Sequence, residues 1–221
     1  MTDFAALRRM MVDGQVRTAD VTDPRLLAAM LSVPRERFFP ADKASLAYLD
    51  LDVAVNGSAQ PIRRLLKPMV LAKLMQAAAV AATDHVLDVG CATGYSSALL
   101  AHLADSVVGI EEDAVLARQA ADALASAGLA NAKIVTGPLS KGCPGDGPYD
   151  LILLQGSSEM EPAALFDQLK EGGRLAFVFA RGPAAKAMLY RRIEGDISGR
   201  AIFDATASPL PGFAKPAEFV F

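Results

Sequence analysis

An apolar run that breaks into a glycine-punctuated turn constrains this chain more than any other feature. Residues 85–90 are predicted to form a strand, Gly90 to Gly94 a tight loop, and Tyr95 to Leu103 a helix. Glycines let a backbone turn sharply and approach a ligand closely, and a helix that follows presents unpaired N–H groups. This unit is typical of α/β proteins that bind a nucleotide. The alternative is structural, because glycines in such a loop also allow a helix to pack closely on a strand.

The spacing of the glycines indicates which kind of nucleotide. Dinucleotide-binding proteins carry G-x-G-x-x-G, whereas this loop has Gly90 and Gly94 with Ala92 between them. That disfavours a nicotinamide- or flavin-dependent oxidoreductase. A second apolar run, residues 107–110, ends in Glu111 and Glu112, where a carboxylate is placed to accept hydrogen bonds from two ribose hydroxyls. The pattern therefore predicts a nucleoside site with Glu111 on the ribose.

The loop also carries a resemblance to a known family. The segment Leu87–Tyr95 resembles the S-adenosylmethionine loop of Rossmann-like methyltransferases. The segments Gln15–Arg17, Val33–Pro40 and Ala47–Asp50 resemble the N-terminal portion of the protein-L-isoaspartate O-methyltransferase family. This resemblance implies an enzyme of protein repair that transfers a methyl group from S-adenosylmethionine to a carboxylate of damaged protein or a related acid, leaving S-adenosylhomocysteine.

The resemblance also implies a set of cofactor-binding residues. Asp88 would help to hold the methionine end of S-adenosylmethionine, and the loops after four strands would surround the rest of the cofactor. In the third loop the family has Gly-Asp-Gly, whose Asp meets the adenine amino group, whereas this chain has Gly137-Pro138-Leu139, so we expect weakened adenine recognition. The expected residues are Asp88, Gly90, Cys91, Ala92, Thr93, Gly94, Tyr95, Glu111, Glu112, Gly137, Pro138, Leu139 and Gln155.

The chain departs from the family again at the acceptor loop, residues 63–68. The family reads Gln-Thr-Ile-Ser-x-Pro there, and matching on the proline puts Arg64 in the Thr place and Leu66 in the Ser place. The candidate substrate residues are Arg63, Arg64, Leu66 and Lys67; the alternative for the three basic ones is a solvated face beside a helix start. Loss of both hydroxyls favours a second hypothesis, a protein that binds S-adenosylmethionine without turnover. No catalytic residue is assigned, because an ionised carboxylate acceptor needs no general base.

The rest of the chain alternates strand and helix, which predicts an α/β, mostly parallel sheet with helices on both faces. Extra N-terminal helices are expected over 4–16, from Pro24 and over 69–81, and one domain over 1–221, divided at 82 and 182. Residues 187–193 and 201–203 predict an antiparallel hairpin at the sheet edge, and 218–221 a last strand. Further strands are predicted at 107–111, 132–136, 149–155 and 174–180, and helices at Ala114–Ala127 and Pro162–Leu169.

Composition excludes several other classes of protein. A formal net charge of −3 gives no general attraction to nucleic acid, and the family of base methyltransferases is disfavoured because Gln155-Gly156-Ser157 replaces their Asn/Asp-Pro-Pro-aromatic motif.

The two cysteines and two histidines lack metal-ligand spacing, so no metal is expected. No apolar stretch reaches the roughly 20 residues of a membrane span, and no signal peptide is recognisable, so we expect a cytoplasmic protein. The expected partner is a peptide or protein carboxylate or a small acid; the sequence does not indicate an oligomeric state.

Overall fold

A seven-stranded mixed sheet forms the centre of the protein. The structure is a computed structural model that describes residues 2–57, 59–180 and 184–215. The spatial order of the strands is β5-β4-β3-β6-β7-β8-β9, and the first five run parallel while β8 and β9 form an antiparallel hairpin at one edge. A separate two-stranded ribbon pairs β1 with β2. The strands are β1 Val53–Ala54, β2 Arg64–Leu65, β3 His85–Val89, β4 Ser106–Glu111, β5 Ala132–Thr136, β6 Tyr149–Ser158, β7 Leu169–Phe179, β8 Lys186–Ile193 and β9 Asp196–Asp204.

The helices begin where the sequence carries helix-start signals. The Asp23 carboxylate accepts hydrogen bonds from the backbone N–H groups of Arg25 and Leu26, with Pro24 in the first turn, and Asp113 caps α5 in the same way. The α-helices are α1 Phe4–Met11, α2 Pro24–Ser32, α3 Pro68–Ala78, α4 Tyr95–Ala101, α5 Ala114–Ser126 and α6 Ala163–Phe166. Residues 12–16 continue α1 as a π-helical turn, so the helix predicted over 4–16 has the expected bounds but changes type after Met11; residues 17–19 form a 3₁₀ turn.

The predicted helix over 162–169 is wrong in length. Helix α6 has only four residues, because Leu169 already pairs with Tyr149 as the first residue of β7. Strand β7 therefore begins five positions before the predicted residue 174, and Gly172, at φ +76°, lies within an irregular stretch of it. Strand β6 likewise continues past the predicted end at 155, to Ser158.

Two apolar layers cover the two faces of the sheet. Helices α1 to α5 pack on one face, and α6 with the segment that follows β9 packs on the other. We call residues 205–215 the C-terminal segment; its Leu210 and Phe213 are each 2% exposed. The predicted strand over 218–221 lies outside the described residues. No helix in the described ranges is long and apolar enough to cross a membrane.

Candidate cofactor and acceptor site

The parallel register brings the predicted site residues together at the carboxyl ends of the strands. Val89 is in register with Ile110 on one side and with Leu154 on the other. Because ligands in open α/β sheets bind outside the carboxyl ends of the strands, this end of the sheet is the expected place for a site. The loop after β3, Glu111 at the end of β4, Gly137 after β5 and Gln155 on β6 all lie there.

The two loop glycines serve different contacts. Gly94 has φ +92°, and a Cβ on it would lie 3.0 Å from the Cβ of Ala120 on α5. This glycine is therefore required for packing of the loop against α5, which is the structural alternative considered from the sequence. A Cβ on Gly90, at φ +76°, would instead lie 2.8 Å from Nη2 of Arg63 and 2.9 Å from Cδ2 of Leu210.

Glu111 is completely buried and its carboxylate is fully engaged by its own chain. Oε2 accepts the backbone N–H of Ala92 at 2.8 Å, and Oε1 accepts those of Glu112 and Asp113 at 2.9 and 3.2 Å. The guanidinium of Arg63 completes the shell with Nε 3.1 Å from Oε1 and Nη2 2.9 Å from Oε2. Such a bidentate pair is among the strongest hydrogen-bonded contacts in proteins.

Arg63 is buried and does not lie on a solvated face beside the start of a helix. The side chain is 3% exposed, so the expectation of a solvated face is wrong for this residue. Its Nη2 also donates to the carbonyl of Gly90 at 2.9 Å, so the guanidinium lies between Glu111 and the glycine loop. The backbone of Arg63 is held on both sides, because Val55 N–H donates to the Arg63 carbonyl and Arg63 N–H donates to Oδ1 of Asn56.

The other three acceptor-loop residues have separate surroundings. Arg64 is half-buried on β2 and donates to the carbonyl of Asp52 at 3.3 Å. The backbone N–H of Lys67 donates to Oδ1 of Asp52 at 2.8 Å, while Leu66 is buried at 3% exposure. The structure therefore does not bring the four candidate substrate residues together on one open surface.

Asp88 is held by neutral donors. The hydroxyls of Ser96 and Ser97 each lie 2.6 Å from Oδ2, and Nε2 of Gln155 lies 2.6 Å from Oδ1. Burial raises the pKa of this carboxyl to about 6, although the three hydrogen bonds act in the opposite direction. Asp88 and Gln155 are thus brought together as expected, in a network that links β3, α4 and β6.

Thr93 and Tyr95 face the N-terminal region. The Thr93 hydroxyl donates to the carbonyl of Phe38 at 2.7 Å, and the Tyr95 ring packs edge-on against Phe38. The guanidinium carbon of the buried Arg35 lies 4.5 Å from the centre of the Tyr95 ring, and its Nη2 donates to the carbonyl of Leu66 at 2.7 Å. Arg35 therefore ties the cofactor loop to the acceptor loop. Arg35 lies within the family segment Val33–Pro40, where no local pattern in the sequence indicates its role.

The C-terminal segment is a further part of the site that sequence reasoning missed. Ser157 N–H donates to the Ser208 carbonyl at 2.8 Å, and Leu210 N–H donates to the Ser157 carbonyl at 3.0 Å, which adds the segment to the end of β6. A Cβ on Gly156 would lie 2.7 Å from the Ser208 carbonyl oxygen, so this glycine permits the close approach. Gly156 is the sequence feature that could have indicated this contact, because a glycine within a strand often marks the close approach of another backbone.

Comparison with known proteins identifies the family. The family model described as Protein-L-isoaspartate(D-aspartate) O-methyltransferase (PCMT) matches residues 8–205. The chain belongs to this family. A protein-L-isoaspartate O-methyltransferase of Koribacter versatilis (strain Ellin345) is 35% identical over 213 residues, covering 96% of this chain and 94% of the relative. Protein-L-isoaspartate O-methyltransferase 1 of Rhodopseudomonas palustris (strain HaA2) is 36% identical over 96% of this chain and 85% of its own length.

Solved structures agree in fold. A protein-L-isoaspartate O-methyltransferase superposes with a TM-score of 0.81 at 23% identity, over 93% of this chain and 66% of that one. A Plasmodium falciparum protein, described as a complex with S-adenosyl-L-homocysteine, superposes with a TM-score of 0.77 at 18% identity over 94% of this chain and 98% of that one. The predicted family, α/β fold, methyltransferase class and S-adenosylmethionine dependence of the family are confirmed.

In this conformation the site is closed to the cofactor of the isoaspartyl methyltransferase family. The Glu111 oxygens that would accept ribose hydroxyls already bind Arg63, and the open side of Gly90 is filled by Arg63, Leu210 and Leu139. The adjoining cleft has a volume of about 210 Å³, below the roughly 300–1,000 Å³ of typical ligand pockets. Its lining residues are Gln60, Pro61, Arg63, Glu111, Glu112, Asp113 and Pro211.

No metal site is found among the described residues: no group of three or more His, Cys, Asp or Glu side chains there could hold an ion. Cys91, in the cofactor loop, is a buried free thiol whose pKa is raised well above its usual value by burial. Of the third loop, Leu139 is buried, whereas Pro138 is exposed, as is Glu112 after β4. The cofactor-binding and substrate roles of the individual residues therefore stay predictions.

Proposed function

We propose that this chain transfers a methyl group from S-adenosylmethionine to a carboxylate of a peptide or protein. The observation that carries the proposal is the unit of β3, the Gly90–Gly94 loop and α4, with Glu111 at the tip of the adjacent strand. In a member of the isoaspartyl methyltransferase family, this unit is the natural place for the nucleoside. The proposal includes a single domain over residues 1–221 and a cytoplasmic location.

The proposed binding roles follow the order of the strands. Gly90 would let the loop approach the methionine portion, Glu111 would bind the ribose once it is released from Arg63, and Leu139 would contact the adenine. Pro138 has no side-chain acceptor for the adenine amino group, and it has no backbone N–H to donate to an adenine ring nitrogen. We therefore expect weaker adenine recognition than in relatives that have an aspartate there.

The acceptor loop sets the expected substrate. A carboxylate is ionised at neutral pH, so the protein must chiefly align it and exclude water. Arg64 brings a guanidinium where the family has a neutral hydroxyl, and Leu66 brings an apolar side chain. Hydrogen bonds from arginine stabilise a carboxylate before reaction and so make it a poorer nucleophile. Ordinary isoaspartyl peptides should therefore be weak acceptors, and a more anionic or smaller acid a better one.

The test is a transfer assay with methyl-labelled S-adenosylmethionine. An isoaspartyl peptide and the same peptide with ordinary aspartate are compared, and base-labile methyl ester is measured. The wild-type protein is compared with the double variant Arg64→Thr/Leu66→Ser, which restores both family hydroxyls. We expect weak ester formation by the wild type and at least a tenfold increase in the double variant, specific to the isoaspartyl peptide.

Two results would contradict this proposal in different ways. Wild-type turnover equal to that of the Koribacter relative, assayed alongside, would show that the altered loop does not change the acceptor. If neither protein forms ester on any carboxylate while S-adenosylhomocysteine still binds, the alternative of cofactor binding without turnover is favoured.

A further inference from the structure

We propose that Arg63 and Leu210 form an internal plug in the cofactor site, which S-adenosylmethionine must displace in order to bind. The inference rests on the proposed function for the identity of the ligand. Its physical basis is that two side chains of this protein occupy the space and the hydrogen-bonding groups that the ligand requires.

The first part of the plug is the Arg63 guanidinium. It donates to both oxygens of Glu111 at 2.9 and 3.1 Å, and these are the oxygens that a ribose diol would use. A guanidinium is a charged donor, whereas ribose hydroxyls are neutral donors, so the pair with Arg63 is the stronger contact. With Arg63 at 3% and Glu111 at 0% exposure, ribose and guanidinium cannot both bind this carboxylate.

The second part of the plug is the Leu210 side chain. Gly90 lacks a side chain, which leaves space over the loop, and Leu210 fills that space from the opposite side. The position of a Cβ on Gly90 would be only 2.9 Å from Cδ2 of Leu210. A ligand that approaches the Gly90 backbone must therefore move Leu210.

Both parts belong to segments that can move without breaking the central sheet. Arg63 immediately precedes the two-residue strand β2. The C-terminal segment is held to β6 by the Ser157 and Leu210 amides and by the Glu159 amide, which donates to the Phe213 carbonyl at 2.9 Å. Opening therefore costs the Arg63 contacts with Glu111 and Gly90, a small number of backbone hydrogen bonds and the burial of two apolar side chains. The apparent affinity for the cofactor is the intrinsic affinity of the open form multiplied by the fraction of molecules in which the plug is open.

The experiment measures the affinity for S-adenosylhomocysteine by calorimetry on the full chain. Arg63→Met removes the guanidinium but keeps an unbranched apolar side chain, and Leu210→Ala removes the apolar part. Because a hydrogen bond to a charged group is worth about 1.5–3 kcal/mol, we expect Arg63→Met to tighten binding at least tenfold. Leu210→Ala should tighten it about threefold or more.

Matched controls remove similar groups elsewhere. Arg8→Met breaks the partly buried pair with Glu36, whose Oε1 lies 3.4 Å from Nη2 of Arg8. Leu165→Ala truncates a buried leucine in the same apolar cluster as Leu210. Neither control should tighten binding. Thermal unfolding monitors folding, and if Arg63→Met does not fold, Arg63→Lys serves instead, because lysine cannot form the bidentate contact.

Amide hydrogen exchange gives an independent readout on the wild type. Addition of S-adenosylhomocysteine should speed exchange of the Leu210 amide, which donates to the Ser157 carbonyl. Slower exchange of the Leu210 amide on binding would contradict the plug. The plug would also be contradicted if the Arg63→Met and Leu210→Ala proteins bind no more tightly than the wild type or do not bind at all. These results concern ligand affinity alone. Tight binding by the variants without methyl transfer would instead reject the proposed function and leave the plug intact.

Discussion

Two buried pairs of arginine and carboxylate lie at opposite ends of the sheet. Arg63 and Glu111, at 3% and 0% exposure, lie at the carboxyl ends of the parallel strands. Arg174 and Asp84, at 11% and 6%, lie at the amino ends, where Asp84 precedes β3. Arg174 also donates to the carbonyls of Ala78 and Ala79 at the end of α3 and to that of Asp150 on β6.

The two pairs have the same chemistry but different positions, and we expect position to decide the role of each. At the amino ends, Arg174 joins the helix end, the loop before β3 and the strand β6, so the pair belongs to the scaffold. At the carboxyl ends, the Arg63 pair covers the loop where a nucleoside would bind. Without its arginine, Glu111 keeps three backbone N–H donors, whereas Asp84 keeps the backbone N–H of Ala81. Loss of the first pair should therefore reduce stability more, and loss of the second should mainly change ligand binding.

The largest effect is expected from Arg174→Met. Removal of one partner leaves Asp84 buried without its counter-charge and three carbonyls without a donor, so the free energy of unfolding should fall by about 3–5 kcal/mol. Urea denaturation measures this change, and the affinity for S-adenosylhomocysteine should stay within twofold. Arg17→Ala is the control, because its pair with Asp13 is exposed and should contribute less than about 1 kcal/mol. A larger loss of stability in Arg63→Met than in Arg174→Met would break the comparison.

The next effect concerns the scaffold side of the glycine loop. Gly94→Val places a branched side chain at φ +92° with its Cβ 3.0 Å from that of Ala120, so unfolding free energy should fall by roughly 2–4 kcal/mol. Gly128→Val is the matched control, since Gly128 has φ +70° but no atom within 4 Å of the added Cβ. The difference between the two variants in urea denaturation isolates the contact with α5. Equal losses would show that backbone strain alone requires Gly94.

The smallest effect concerns Asp88, a buried carboxyl group at the ligand end of the sheet. Burial raises the folded-state pKa of Asp88 from 3.8 to about 6, so the folded protein binds this proton more tightly than the unfolded chain does. The contribution of Asp88 to stability should therefore fall as pH rises from about 4 to about 6, by up to roughly 3 kcal/mol. Asp88→Asn should flatten this part of the curve of unfolding free energy against pH. An unchanged curve in Asp88→Asn would assign the dependence to other groups.

Local patterns in the sequence were sufficient for strands β3, β4 and β5 and for the glycine loop. Alternation of apolar runs with helical periodicity predicted β3, β4 and β5 to within one residue, because these signals arise from neighbours in the chain. The short α6 was overpredicted, because strand pairing between Tyr149 and Leu169 overrides the helical preference of the intervening residues. The acceptor loop was interpreted as divergent from the family, and this stays a prediction; the direction of its side chains was not predictable.

The sequence by itself determined the family, the positions of strands β3, β4 and β5 and the place of Glu111 at the end of a strand. Only the tertiary structure decided that Arg63, 48 residues earlier in the chain, is bound to that acid. A charged residue in a sequence is expected to be exposed, because burial of an unpaired charge is costly, and its burial becomes favourable only when the fold supplies a partner. The same holds for Leu210, whose place against Gly90 depends on a segment that returns across the end of β6 and on no local pattern around either residue.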